Sequence, residues 1–521
     1  MGSLPPPMTH LWTLRQADEN RLNRLAQLLA LKLTSGDMLA LSGDLGAGKT
    51  TLARALVRAL LDDAGAEVPS PTFSIVQTYD TPRLTVAHAD LYRLTSEDEV
   101  LELGLDEMLA RGALLVEWPD NAPPLTSPNR LDVGLTETSG PNTRDVTLVG
   151  HGTWEARLAR LEAMSAFLDQ SGVDKSAPIH YLQGDASARA YARTTLRDRQ
   201  VILMDSPRQP DGPPVRDGLP YSRIAHLAED VRPFVAIAGA LKDAKLSVPE
   251  IYHSDLTSGL LLLEDFGDGV FGEELTRGTP QAGLWRQAAD TLLALRNVPL
   301  PPSLPLPDGT SYQVPRQDRA ALMIEAQLLI DWYWPAVKGD PVTAGARQDF
   351  LQIWNALFDR ILALPAAWVL RDYHSPNLIM LPDRDAARRT GIIDFQDALA
   401  GPAAYDLVSL LQDARVDVAA ALERELLTYY CDRAAASDPG FDRAAFEFSY
   451  AALGAQRNTK ILGIFARLAK RDGKPGYLRH VPRLWDYLDR DLAHPDLAAL
   501  KHWYAQHFPE SSRHIAMKVD L

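Results

Sequence analysis

Cysteine is almost absent from this chain: there is one, Cys431, among 521 residues. A single thiol cannot form an internal disulfide, which excludes a disulfide-stapled scaffold and suits a reducing compartment. Basic residues are outnumbered, 53 Lys and Arg against 68 Asp and Glu, for a formal net charge of −15. That balance excludes a broad nucleic-acid-gripping surface, which needs clustered cations. Any role near RNA is therefore expected to run indirectly, through a partner. No run of about 18 or more uninterrupted apolar residues is present, so no membrane span is expected. The opening stretch MGSLPPPMTHLW lacks a basic region followed by an apolar run. No secretory signal is expected there, and a cytoplasmic location follows as the expectation. Internal repeats and low-complexity tails are missing as well, which excludes a solenoid.

What is there is globular: 46% hydrophobic and 23% charged residues in a chain too long for one ordinary core. Two modules are expected, residues 1–155 and 156–521. The first alternates strands and helices. DMLALSG (37–43), LTVAHADLY (84–92) and GALLVEW (112–118) read as strands, and TTLARALVRALLDD (50–63) as a helix. Ser96 and Glu99 form a capping-box pattern. The pattern predicts an α/β domain, a parallel sheet with covering helices. The seam falls near 138–156, where VTLVG reads as a closing strand. The helix after it puts Trp154, Leu158, Leu161, Met164 and Leu168 on one stripe and is assigned to the second module.

GDLGAGKTT (43–51) carries the chemistry of the first module. Gly43 and Gly48 let backbone N–H groups turn around phosphate oxygens, Lys49 neutralises the β and γ phosphates, and the Thr50 hydroxyl serves Mg²⁺. The strand before and the helix after place a helix N-terminus at the anion. Candidate nucleotide-binding residues are thus Gly43, Asp44, Gly46, Ala47, Gly48, Lys49, Thr50 and Thr51. Such a site needs a further carboxylate at a strand end for the metal or the water, and Asp90 and Glu117 sit at such positions. His88 reads equally as a site residue or a packing residue.

GDLGAGKTT, SPTF (70–73), HADLYRL (88–94) and VEWP (116–119), in this order, resemble the TsaE family over roughly residues 10–150. Those proteins are ATPase subunits of the machinery that makes threonylcarbamoyladenosine on tRNA. The resemblance implies ATP and Mg²⁺ as cofactors, with Thr50 and Glu117 on the metal, Asp90 near the γ-phosphate and SPTF as a switch-like loop. It also implies partners of the threonylcarbamoyl-transfer complex, the TsaB and TsaD type. A nucleotide-insensitive docking module is the alternative for this half.

The second module starts with hairpin-like segments and becomes mostly helical after about residue 280, a small lobe (about 156–268) followed by a helical large lobe (about 269–521). This is a bilobal α+β, kinase-like arrangement. RDYHSPNLI (371–379) and GIIDFQDA (391–398) supply an Asp, an Asn and a second Asp in kinase order. Phosphoryl transfer needs Asp372 to accept the hydroxyl proton and Asn377 and Asp394 as metal ligands.

RDYHSPNLI with IIDFQDALAGPAAYDL resembles the aminoglycoside-phosphotransferase superfamily. The resemblance makes Asp406 a brace for the catalytic loop and the backbone from Glu264 to Phe266 the adenine-binding hinge. LQGDASARAYAR (182–193) would lie over the phosphates, with Gly184 and Ser187 as binding residues. It departs from the pattern at Met204, where a small-lobe Lys is usual; Lys242, Lys245 and Arg193 are the candidates to replace it. QRNTKILGIFARLAKRDGKPGYLRHVPRLWDYL (456–488), with GDAS and LMDSP, is similar to AmgK-type kinases. Those phosphorylate the anomeric hydroxyl of N-acetylmuramate and N-acetylglucosamine in cell-wall recycling. Arg457, Lys460, Arg467 and Arg471 recur at helical spacing and form a basic stripe able to meet a substrate carboxylate or to face solvent. DWYWP (331–335) reads either as a sugar-stacking platform or as core. An antibiotic- or choline-type kinase is the alternative for this half.

Overall fold

The computed structural model describes residues 10–121, 127–140, 142–182 and 189–513. By its internal packing the chain divides into two compact units, residues 1–207 with 251–265, and residues 208–250 with 266–521.

The first unit opens with β1 (Leu11–Ala17), α1 (Glu19–Lys32), β2 (Met38–Ser42) and α2 (Lys49–Leu61). There follow β3 (Val76–Asp80), β4 (Thr85–Asp90), α3 (Glu97–Leu101), α4 (Leu105–Arg111), β5 (Ala113–Glu117), β6 (Arg130–Glu137) and β7 (Arg144–Gly150). They form a seven-stranded sheet in the order β1-β7-β6-β2-β5-β4-β3. The strands from β6 to β4 run parallel, whereas β7, β1 and β3 are added antiparallel. The sheet is therefore mixed, with the expected parallel centre. β2 is buried on both faces, as its unbroken apolar run requires. The capping box forms: Glu99 N donates to Ser96 Oγ and Ser96 N to Glu99 Oε2, starting α3.

Next comes α5 (Thr153–Gln170). Its stripe of Trp154, Leu158, Leu161, Met164 and Leu168 is buried, and the helix lies against β1, β7 and α1. β8 (His180–Leu182), β9 (Ala190–Leu196) and β10 (Arg199–Asp205) then join the strands Ile251–Asp255 and Leu260–Glu264 in an antiparallel five-stranded sheet. One apolar core runs without a break from Leu39 and Leu131 through Leu161 and Leu168 to Val201 and Leu262. Charge fixes the same join. Asp205, buried at the end of β10, accepts from Lys32 Nζ at 2.5 Å and Arg160 Nε at 2.7 Å.

The second unit is mainly helical, and its longest helix is Arg443–Arg471. Two short antiparallel strand pairs frame the second motif. Ala366–Val369 pairs with Leu399–Pro402, and Leu378–Met380 pairs with Thr390–Ile392. Between them they present the loops that contain Asp372 and Asp394. Tyr333 and Trp334 of DWYWP are buried among Trp485, Trp503 and Phe508, so this motif belongs to the core. Among the described residues no helix is long and apolar enough to cross a membrane.

Candidate active sites

The first site is built where β2 turns into α2. Gly43, Gly46 and Gly48 all adopt positive φ, 135°, 83° and 104°. At Gly43 a Cβ would stand 2.3 Å from the carbonyl oxygen of Leu135, so no side chain fits there. Arg144, on β7, supports the loop from outside by donating to the Ala47 and Gly46 carbonyls at 3.0 and 3.4 Å. Lys49 donates to the carbonyls of Gly43 and Asp44 at 2.8 and 2.9 Å, and its ammonium lies 3.8 Å from the centre of the Trp118 ring. Burial lowers its pKa, against the charges of Glu117, Asp90 and Asp44.

Parallel pairing of β4 with β5 sets Asp90 beside Glu117. Thr50 Oγ1 donates to Glu117 Oε2 at 2.9 Å, and His88 Nε2 lies 3.0 Å from the other carboxylate oxygen. His88 is fully buried in β4, two residues before Asp90, and holds Glu117 in place from that strand. Asp90 accepts the Tyr92 N–H at 3.1 Å, and burial raises its pKa. A hydroxyl and two carboxylates at a phosphate-binding helix N-terminus suit a hard divalent cation that takes its other ligands from phosphate and water. Thr51, one step along α2, is exposed. In SPTF, Phe73 is 85% exposed and carries the Arg93 guanidinium over its ring at 4.6 Å.

The second site centres on the loop after Ala366–Val369. Arg371 and Asp394 both take left-handed backbone conformations, φ 69° and 60°. Non-glycine residues are rarely held so, and here both flank the polar groups of the motif. Asn377 Nδ2 donates to the Asp372 carbonyl at 3.0 Å and to Asp394 Oδ2 at 3.4 Å, and Gln396 donates to Asp394 Oδ1 at 3.0 Å. The three motif residues are thus brought together. The Asp372 carboxylate makes no hydrogen bond among the described residues, and its side chain is 44% exposed. Partial burial opposes its ionisation, but His374, Lys460, Arg371 and Arg457 outweigh that and hold its pKa below the ordinary value. Asp406 is buried and accepts the N–H groups of Leu370 and Arg371 at 2.6 and 2.9 Å. Burial pushes its carboxyl up to about 7.

One functional support escaped the sequence reading. Glu325, buried in the helix Arg319–Leu328, accepts from Arg371 Nη2 at 2.5 Å and Lys460 Nζ at 2.7 Å. Gln456 Nε2 donates to its other oxygen at 3.1 Å. The basic stripe is accordingly divided. Lys460 is committed to Glu325, and the buried Arg457 donates to the Gln412 carbonyl at 3.2 Å. Arg467 lies over the Tyr221 ring, and Arg471 pairs with Asp472 at 2.6 Å. Arg193 is held by Asp265 at 2.5 Å and Lys242 by Glu250 at 2.7 Å, while Lys245 sits in a left-handed turn at φ 62°. Met204 is buried in β10, paired with Tyr191 and Leu261. Glu264 closes the strand Leu260–Glu264, and Phe266 stands two residues on. Gly184 and Ser187 lie outside the described residues.

A phosphate-binding loop on a parallel sheet and an Asp-Asn-Asp constellation on a kinase-like scaffold define two nucleotide-using catalytic domains, an ATPase and a phosphotransferase. Family models agree: residues 16–146 match the threonylcarbamoyl adenosine biosynthesis protein TsaE, and residues 179–446 match the phosphotransferase enzyme family. A Caulobacter vibrioides protein named N-acetylmuramate/N-acetylglucosamine kinase is 39% identical over 363 residues, 68% of this chain and 98% of that protein. A Pseudomonas aeruginosa protein of the same name is 34% identical over 61% of this chain and 84% of its own length. A Rickettsia felis tRNA threonylcarbamoyladenosine biosynthesis protein TsaE is 35% identical over 29% of this chain and 86% of its own length. The chain belongs to the phosphotransferase enzyme family through its C-terminal part and to the TsaE family through its N-terminal part.

Proposed function

We propose that this is a bifunctional, cytoplasmic protein with separate ATP sites in modules 1–155 and 156–521. The second module phosphorylates the anomeric hydroxyl of N-acetylmuramate or N-acetylglucosamine in peptidoglycan recycling. The observation that carries this reading is the half-exposed Asp372 carboxylate, with His374 Nε2 4.0 Å away. It is ionised, without a hydrogen-bond partner among the described residues, and mounted on a loop whose backbone Asp406 holds. Asp372 accepts the proton of the sugar hydroxyl as its oxygen attacks the γ-phosphorus of ATP and the bond from that phosphorus to the leaving ADP breaks. Asn377 and Asp394 hold Mg²⁺, which when bound supplies charge neutralisation at the transferring phosphate. The backbone from Glu264 to Phe266 receives the adenine. Arg467 remains as the candidate to meet the sugar's carboxylate, since Arg457, Lys460 and Arg471 already have polar partners.

The first module is an ATPase that supports tRNA threonylcarbamoyladenosine formation with subunits of the TsaB and TsaD type. Thr50 and Glu117 hold its Mg²⁺, Lys49 neutralises the phosphates and Asp90 orients the attacking water. Neither the aminoglycoside- nor the choline-kinase alternative is favoured by the site or by the relatives' names. The deciding experiment supplies N-acetylmuramate, N-acetylglucosamine, an aminoglycoside and choline with ATP and locates the new phosphate by NMR. Phosphate on the anomeric oxygen of an amino sugar supports the reading; phosphorylation of the cationic compounds alone overturns it. For the first module, ATP-dependent capture of the partner subunits separates an ATPase component from a passive dock.

A further inference from the structure

Behind the phosphate-binding loop, the first unit contains a cavity of about 280 Å³ between α1, α2 and the segment that joins α5 to β8, with Thr51 of the GDLGAGKTT motif in its lining. At roughly 30 Å³ per water it holds several waters or one small ligand. Four cations line it: Arg24 of α1, Arg54 and Arg58 of α2, and Lys175. Among the described residues none of the four is ion-paired with a carboxylate. Arg54 and Arg58 each use Nε on a carbonyl, of Val68 and Ala66, both at 2.9 Å. Their terminal nitrogens make no further hydrogen bond among the described residues. Arg24 is 6% exposed; its Nη2 donates to the carbonyls of Asp174 and Ala177, while its buried Nε has no acceptor.

Three carboxylates line the cavity too: Asp62, 2.5 Å from His180, Asp63, which accepts the Gly65 N–H at 2.8 Å, and Glu19 in the exposed first turn of α1, so the four cations exceed them by one charge. Burial lowers the Arg24 pKa against the charges of Asp169 and Asp174, neither of which forms an ion pair with it, and Arg side chains suit the oxygens of a phosphate.

We infer that this cavity binds a phosphate-bearing small molecule, either inorganic phosphate or the phosphoryl group of a phosphorylated amino sugar. Bound there, the anion ties α1 and α2 to the segment leading into β8. Ligand binding would thereby tighten the join between the seven-stranded and five-stranded sheets of the unit. The inference stands independently of the proposed reactions, except that the sugar-phosphate source presumes the kinase product.

The test uses the full chain. Crystals soaked in tungstate, a phosphate analogue, should show an anomalous peak among Arg24, Arg54 and Arg58. In solution, calorimetric titration with inorganic phosphate is run with both nucleotide sites saturated by a non-hydrolysable ATP analogue. The Arg54→Gln/Arg58→Gln double variant should bind at least about tenfold more weakly than wild type, because it loses two charge-assisted contacts. N-acetylglucosamine 1-phosphate forms the second arm. A difference between wild type and double variant that is larger for this ester assigns the site to sugar phosphates; an equal difference assigns it to free phosphate. Tungstate elsewhere only, or equal affinities of a folded double variant in both arms, overturns the inference. Should the double variant fail to fold, the tungstate map decides alone.

Discussion

Asp406 accepts the backbone N–H of Arg371 at 2.9 Å while its second oxygen takes that of Leu370, so one buried carboxylate fixes the peptide units just before Asp372. Ser409 Oγ adds a hydrogen bond to the Arg371 carbonyl at 3.2 Å. The left-handed conformation at Arg371, φ 69°, is therefore held from both sides of the residue. Asp406→Ala should strand two buried N–H groups, at about 1–3 kcal/mol each. The expected outcome is a lower melting temperature of the second unit and a kcat for sugar phosphorylation reduced at least about tenfold, with a smaller change in KM. Calorimetry and steady-state kinetics on the same preparation check both. An unchanged kcat in a destabilised protein would restrict Asp406 to folding.

The Glu325 site makes a prediction about pH. Burial opposes ionisation of Glu325, but Lys460 and Arg371 outweigh it and lower its pKa below the ordinary value. A lowered carboxylate pKa stabilises the fold above the unfolded value, about 4.3, and that stabilisation is lost as pH falls through the folded value. Glu325→Gln should remove this dependence and leave two buried cations without a counter-charge, costing about 3–5 kcal/mol at neutral pH. The melting-temperature gap between wild type and variant should stay constant from pH 7 down to about 5 and narrow only below the unfolded value, about 4.3. A gap that stays constant throughout the acid range would mean that Glu325 acts by packing alone.

Lys49→Ala should abolish ATP hydrolysis by the first module, with a fall of at least about a hundredfold, since it removes the ammonium aimed at the transferred phosphate. Sugar phosphorylation should be nearly unaffected, because its carboxylates and Asn lie in a different fold. Loss of both activities in a folded variant would contradict two independent sites. Thr50→Ala separates metal from phosphate: it should raise the Mg²⁺ concentration needed for hydrolysis, read by titrating the metal at fixed ATP.

What the sequence revealed followed from range. GDLGAGKTT is contiguous, and each residue's role depends on neighbours within one turn, so strand, loop and helix were all legible. Asp372, Asn377 and Asp394 were legible because the hairpin that joins them is short. Glu325 was not, because it sits within the apolar helix Arg319–Leu328 and meets Arg371 only through tertiary packing. Arg144 escaped for the same reason: its contact with Ala47 spans 97 positions. Helical spacing grouped Arg457, Lys460, Arg467 and Arg471 as one stripe, which the structure divides among Gln412, Glu325, Tyr221 and Asp472. It could not say which face meets water in a helix that is buried through most of its length. The edge strands β1 and β3 also went unread, since half-exposed edges carry weak apolar patterning.

The substitution Asp372→Asn tests the chemistry most directly. It preserves size and removes the group that accepts the hydroxyl proton. General-base catalysis contributes roughly 10² to 10⁴ in rate, about 3–5 kcal/mol of barrier. The kcat for sugar phosphorylation should therefore fall at least about a hundredfold. Because neighbouring cations hold the Asp372 pKa below its ordinary value, the wild-type rate should be flat from about pH 6 to 8, with no acid limb from this group in that range. Nucleotide binding should survive, since Asn377 and Asp394 remain. Asp394→Asn should differ by weakening metal-dependent nucleotide binding as well as turnover, because it also breaks the geometry that Asn377 and Gln396 impose on that carboxylate. Both are measured in a Lys49→Ala background, which silences the first site, with binding followed by calorimetry and turnover by sugar-phosphate release. If Asp372→Asn keeps more than about a tenth of the wild-type kcat, another group takes the proton and the assignment of Asp372 as base fails.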